Sequence, residues 1–168
     1  MTPSIRALRP GDVDAVVEFS VRAWRPVFES FTRVMGPEIF RRIYPDWQAI
    51  QAEAVADACR AEGNRVWVAE ADGTLAGFIV VVVHRLNPET ESGEIYMVAV
   101  DPDYQNGGLG LALVNFAVDR IAELGITLAE IGTGGDPGHA PARRVYERAG
   151  FTPVPLVRYY KALPDGRA

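Results

Sequence analysis

The 168-residue chain holds one cysteine, Cys59, and that scarcity excludes an intramolecular disulfide framework or a multi-cysteine metal cluster. The setting of Cys59, VADACRAEG, reads as a helix face with no histidine near it in sequence, so a structural role is expected rather than a nucleophilic one. Basic residues are also few: 17 Lys and Arg face 22 Asp and Glu, for a net charge of -5. Such a chain lacks the basic face that displaces counterions from a duplex, which argues against nucleic acid and favours a cationic or amine partner. The longest apolar run, Phe78 to Val83, is too short to cross a bilayer, so no membrane partner is expected. The opening residues, MTPSIRALRPGD, lack the apolar core of a signal peptide, and a cytoplasmic location is the expectation. Internal repeats, linkers and low-complexity stretches are missing as well. Residues 1–168 are therefore expected to form a single domain with one site.

What is there is strongly patterned. Ser4 to Leu8 reads as a strand, and Asp12 is a potential cap for a helix whose apolar positions, Val13 to Val27, recur at helical spacing up to Pro26. Pro37 and Pro45 divide the next stretch, and Asp46 is placed to cap a helix over Trp47 to Ala61. From Arg65 onward, β-branched and aromatic residues flank Asp72-Gly73, a hairpin signal. RLNPETES reads as a polar loop before a strand over Glu94 to Val100. An apolar-periodic helix then runs to Gly125, Ile126 to Ile131 reads as a strand, Ala140 to Arg148 as a helix, and Phe151 to Tyr160 as one or two strands. A hairpin followed by strand, helix, strand implies a mixed sheet with helices on both faces.

Between strand and helix lies DPDYQNGGLG. Gly107, Gly108 and Gly110 strip Cβ atoms from the place where a helix presents its first unpaired N–H groups, which suits a phosphate or diphosphate. A P-loop is excluded because no Gly-Lys-Ser/Thr follows. A dinucleotide site has partial support from the G-x-G of Gly108 and Gly110 and from Glu130, but Leu113 stands at the third glycine position and Asp101-Pro102-Asp103-Tyr104-Gln105 intervenes between strand and glycines.

Two motifs in order carry a resemblance. Gln105 to Gly110, QNGGLG, resembles the Q/R-x-x-G-x-G/A loop of the GCN5-related N-acetyltransferases, and His139 to Phe151, HAPARRVYERAGF, is similar to that family's N-x-x-A-x-x-x-Y-E-x-x-G-F segment. His139 stands where the family commonly has Asn. The resemblance implies a mixed, mostly antiparallel sheet of α/β (α+β) class, with a parallel, splayed central strand pair. It also implies acetyl-CoA as acyl donor and no metal. By the same resemblance the diphosphate rests on the N–H groups of Asn106, Gly107, Gly108, Leu109, Gly110 and Leu111, beside Gln105. The pantetheine arm follows Val98, Ala99 and Val100, and His139, Ala142 and Arg143 approach the coenzyme from the second motif.

The implied activity is acetyl transfer to a primary amine of a small molecule or of a peptide. An alkylamine is almost wholly protonated at neutral pH, so a base is needed. Glu94 is the leading candidate, because EIYMVAV resembles the E-x-x-x-x-A-V strand of the family's histone acetyltransferases. His84 is its rival on the adjacent strand, by virtue of a pKa near neutrality. Tyr146 matches the tyrosine that reprotonates the coenzyme thiolate, and assists rather than controls the reaction. Trp24, Phe28, Phe31, Tyr44, Tyr96 and Tyr159 are candidates for aromatic walls around an ammonium, against the alternative that the helical ones are ordinary core. The competing reading is a non-catalytic acyl-CoA-binding module of the same fold. A homodimer is the assembly considered.

Overall fold

The computed structural model describes residues 3–164. Strands β1 (Ser4–Ala7), β2 (Arg65–Ala71), β3 (Thr74–Asn87), β4 (Thr90–Val100) and β5 (Ala129–Ile131) form one sheet in the order β1-β2-β3-β4-β5. Neighbours are antiparallel except β4 and β5, which are parallel and joined by the crossover helix α4 (Leu109–Glu123). Helices α1 (Val13–Met35), α2 (Pro37–Ile43) and α3 (Trp47–Arg60) precede β2, and α5 (Ala140–Arg148) follows β5. The mixed, mostly antiparallel sheet with helices on both faces is the architecture its sequence pattern implies.

Within the run FIVVVV, Phe78 to Val81 are buried because each face of β3 meets a different helical layer. Ile79 and Val81 pack with Leu113, Val114, Ala117 and Ile121 of α4, while Phe78 and Val80 pack with Val16, Phe19 and Val55 of α1 and α3. Period-two alternation between two apolar layers leaves no polar face. Two glycines set how close α4 lies: a Cβ on Gly93 meets Ile121 at 2.6 Å, and one on Gly77 meets Leu113 Cδ1 at 2.9 Å.

Four local expectations change. Helix α1 does not stop at Pro26 but runs to Met35. An interior proline costs about 3 kcal/mol. The second half of α1 offsets that by burying Phe28 and stacking it on Trp47, with ring centroids 4.5 Å apart. RLNPETES is not a loop: β3 reaches Asn87 and β4 begins at Thr90, with Arg85 bonding Glu91 across the pair and Asn87 accepting the Glu89 N–H in the turn. Strand β5 is shorter than expected, beginning at Ala129 rather than Ile126. No strand forms over Phe151 to Tyr160. Pro153 and Pro155 withhold two ladder donors, and the segment instead reaches α2, where Arg42 donates to the Leu163 carbonyl at 2.8 Å. The parallel pair consequently lies at one side of the sheet, with β5 outermost. Asp46 caps α3 through the Ala49 N–H as expected, whereas the Asp12 carboxylate bonds Arg6 and the Arg9 N–H. Among the described residues no helix is long and apolar enough to cross a membrane.

Candidate active site

Strands β4 and β5 pair only from Gly93–Ala129 to Ile95–Ile131. Past Ile131 the chain turns off at Gly132, but β4 continues to Val100, paired with β3 on one side and with no strand on its β5 side. This divergence opens a cavity of about 540 Å³. A bulge sharpens it: Val80 pairs with Met97 and Val81 with Ile95, leaving Tyr96 as the extra residue. Bulges re-aim side chains and interrupt ladders, here beside the gap.

One wall of the cavity is the glycine turn. Asp101, 5% exposed, accepts the Asp103 N–H and pairs with Arg22 of α1 at 2.7 Å, which fixes where β4 ends. Gln105 then donates its side-chain amide to the Val100 carbonyl at 3.0 Å. Asn106 and Gly108 both take positive φ, 65° and 84°, and Gly108 begins α4 with no side chain capping it. A Cβ on Gly110 meets only Val100 and Val145 methyls at 3.8 and 3.9 Å, ordinary contact distances, so packing does not demand glycine there. Gly108, Gly110 and Leu111 line the cavity with the free helix start and its positive dipole end.

The opposite wall is α5 and the turn before it. Asp136 gathers this region. It accepts from Ser30 Oγ of α1 at 2.6 Å and from the Gly138 N–H at 3.0 Å, and its other oxygen bonds His139 Nδ1. Burial pushes the Asp136 carboxyl up, but the bonds from Ser30, His139 and the Gly138 N–H together hold it below the usual range. With Nδ1 committed, Nε2 is the remaining ring nitrogen of His139, which lines the cavity and packs on Phe31. Two turns further along α5, Tyr146 also lines the cavity, and burial raises its hydroxyl to about 12.

Most residues expected at the coenzyme come together here: Val98, Ala99, Val100, Gln105, Asn106, Gly108, Gly110, Leu111, His139, Ala142 and Tyr146 all line the one cavity. Gly107 and Leu109 stand outside the lining, Leu109 because its side chain is buried in the core under α4. Arg143 is turned away, donating to the Gly134 and Asp136 carbonyls at 2.6 and 2.8 Å, while Arg144 and Arg148 line the cavity instead. Of the aromatic candidates, Trp24 and Tyr96 line it. Phe28 does not: it is core, surrounded by Phe31, Phe40, Tyr44 and Trp47. Tyr159 is 89% exposed and walls nothing. Glu130 accepts from Ser92 at 2.5 Å inside the sheet, which removes it as a ribose ligand.

The two candidate bases meet each other. His84 Nε2 lies 2.6 Å from Glu94 Oε2, a diagonal pair on the α1 face of β3 and β4, and neither lines the cavity, Glu94 standing one residue before Ile95, where the lining of β4 begins. Burial raises the Cys59 thiol to about 11, consistent with the inert role read from its helix face. Sequence reasoning missed Asp136 and Ser30. The D-x-x-H spacing of Asp136 and His139 was the local signal for the first, but Ser30 comes from a helix more than a hundred residues away.

A protein-family model described as the Acetyltransferase (GNAT) family matches residues 24–151. A mycothiol acetyltransferase of Sanguibacter keddieii is 37% identical over 151 residues, covering 89% of this chain and 43% of that protein. The chain spans about half the length of the curated relatives it matches. Among solved structures, a ribosomal-protein-alanine N-acetyltransferase from Brucella melitensis biovar Abortus superposes with a TM-score of 0.66 at 15% identity, covering 96% of this chain and 100% of that one. Aminoglycoside N-acetyltransferase AAC(6')-Iy in complex with CoA gives a TM-score of 0.62 at 14% identity, covering 96% and 95%. At such identity the structural likeness speaks to the fold alone.

Proposed function

The chain belongs to the GNAT acetyltransferase family, and on that premise we propose that residues 1–168 act as one catalytic unit moving an acetyl group from acetyl-CoA to a primary amine. The observation that carries the proposal is a single cavity bounded at once by an uncapped helix start, a length of β4 with no partner on its β5 side, and the half-buried Tyr146. When bound, acetyl-CoA supplies the activated acetyl thioester and a thiolate leaving group.

The N–H groups of residues 106–111 and the dipole of α4 hold the diphosphate. The free edge of β4 from Val98 to Val100 takes the amide-bearing arm as it would an added strand, and one of its N–H groups faces the developing oxyanion. Asp136 fixes the tautomer of His139: a neutral ring donates Nδ1–H to the carboxylate, so Nε2 accepts from an amide N–H of the arm, which a donor-only role would not allow. Tyr146 donates a hydrogen bond to the departing sulfur. A phenol near 12 facing a thiol near 8.5 makes complete proton transfer unfavourable by roughly 5 kcal/mol, so stabilisation of the thiolate is its contribution.

Glu94 takes the amine proton through a water, and His84, 44% exposed, passes it to solvent. Trp24 and Tyr96 flank the acceptor. Small amines of the kinds named for its relatives, mycothiol and aminoglycoside acceptors, are the first acceptor class to test, and a peptide amine is the second. The transfer runs without a metal, in the cytoplasm, in a homodimer. The test is acetyl-CoA turnover followed by thiol release against such an acceptor panel. Release above the rate in buffer supports the proposal. Tight coenzyme A binding with no release for any amine contradicts the catalytic reading.

A further inference from the structure

The chain carries 22 Asp and Glu and a net charge of -5, yet none of those carboxylates among the described residues lines the cavity. What charge the lining has is basic. It comes from Arg144 and Arg148, one turn apart on α5 and on the wall proposed for the coenzyme, where anionic phosphates suit them.

The cavity reaches both faces of the sheet through the gap between β4 and β5. On one face Val98, Val100, Val145 and Tyr146 pack against the α4 layer, and on the other Ala23, Trp24 and Met97 pack against the layer of α1 and α3. Trp24 meets Phe78 edge-on, with ring centroids 6.4 Å apart, which holds its indole in the wall. With Pro26 and Val27 of α1 and the bulged Tyr96, this second face presents no charged side chain. Nor are nearby carboxylates free to turn in. Glu94 pairs with His84 at 2.6 Å, Glu130 accepts from Ser92, Asp101 pairs with Arg22, and Asp136 accepts from Ser30 and Gly138. Glu29 and Glu147 are exposed and lie outside the lining.

We propose that the acceptor is a primary amine on an apolar body, with the reacting nitrogen as its only charge, and that polycations and sugar-like amines are poor acceptors. The inference deepens the acetyl-transfer reading above and rests on it. An ammonium against Trp24 or Tyr96 regains part of its lost hydration by cation–π attraction, and Glu94 lies one residue before the lining to receive its proton. A second ammonium would meet Pro26, Val27 and Met97, with Arg144 and Arg148 in the same cavity. A charge taken from water without a partner is costly. Hydroxyl groups find only the Trp24 N–H and the Tyr96 hydroxyl among the side chains of this wall, so a sugar loses more hydrogen bonds to water than it gains. An apolar body instead displaces water from Trp24, Val27 and Met97 and gains in proportion to the area it covers.

The test follows coenzyme A release from acetyl-CoA with pentylamine, 1,4-diaminobutane, 2-phenylethylamine and glucosamine. Pentylamine and 1,4-diaminobutane differ by a terminal methyl against an ammonium, and kcat/KM is expected to favour pentylamine by about 10–100-fold. 2-Phenylethylamine is expected to exceed glucosamine by a similar factor. Val27→Glu puts a carboxylate into the apolar wall, and in that variant the ratio is expected to move toward the diamine by about tenfold. Turnover of 1,4-diaminobutane or glucosamine equal to that of its apolar counterpart overturns the inference and leaves acetyl transfer standing. A ratio that a folded Val27→Glu leaves unmoved overturns the assignment of selectivity to this wall. Absence of release with every amine, in this set and in the wider panel, overturns acetyl transfer itself and the inference with it.

Discussion

At the end of the cavity proposed for the coenzyme the chain offers main chain, and at the end proposed for the acceptor it offers side chains. The glycine turn, the start of α4 and the free length of β4 present N–H and C=O groups whose positions follow from backbone conformation alone. Trp24 comes from α1, Tyr96 from the bulge of β4, and the His84–Glu94 pair from two strands of the long hairpin. A main-chain site is written in a short run of residues and binds a constant ligand. A side-chain site is assembled across the fold and varies by substitution, which fits a family that keeps its donor and changes its acceptors.

The contrast can be broken first at Glu94. Glu94→Gln keeps the shape but cannot take a proton, and kcat is expected to fall by about 10²–10⁴-fold with the KM for acetyl-CoA unchanged. An unaltered kcat makes the carboxylate a strand-end charge and moves the base elsewhere. On the main-chain side, Gly110→Leu fills the approach to the helix start. Loss of two charge-assisted bonds implies a rise of about 100-fold or more in the KM for acetyl-CoA. A Cβ at Gly110 meets only ordinary neighbours, so the fold is expected to persist, which circular dichroism checks. Normal affinity in this variant means that the turn is structural.

Tyr146→Phe is the milder test. Its hydroxyl stabilises a leaving group that is already good, so kcat is expected to drop by about tenfold, and the deficit should stay constant from about pH 6 to about pH 9 because the phenol, raised to about 12, remains protonated throughout. Complete loss of activity would give Tyr146 a controlling role. The smallest effect is expected at Ser30→Ala, which removes one bond from Asp136. Because the folded carboxyl lies below its unfolded value, the stability this bond gives is present above about pH 4 and lost as pH falls through the folded value. The variant should melt a few degrees lower at neutral pH and converge with the parent in acid. A gap that persists at low pH assigns the loss to packing.

Legibility in the sequence followed the same division. The hairpin at Asp72-Gly73, the crossover helix α4 and the second motif of α5 are local patterns, and each formed where its pattern lay. Errors fell where distant contacts outweighed local preference. Pro26 reads as a helix end, but Phe28 and Trp47 stack across two helices and carry α1 past it. Phe28 has the spacing of either a core or a pocket residue, and only the arrival of Phe40, Tyr44 and Trp47 decides for core. Phe151 to Tyr160 has strand composition, but Pro153 and Pro155 withhold ladder donors and the segment pairs with no strand. Asp136 and Ser30 escaped because their meeting depends on α1 packing beside the turn before α5.

The grip of bare main chain on the coenzyme diphosphate is tested most directly by a crystal structure of the protein with coenzyme A. Diphosphate oxygens are expected within about 2.7–3.2 Å of backbone nitrogens in residues 106–111, with the pantetheine arm along Val98 to Val100 and the sulfur beside the Tyr146 hydroxyl. A diphosphate bound by side chains elsewhere, with the start of α4 facing only solvent, would contradict the account.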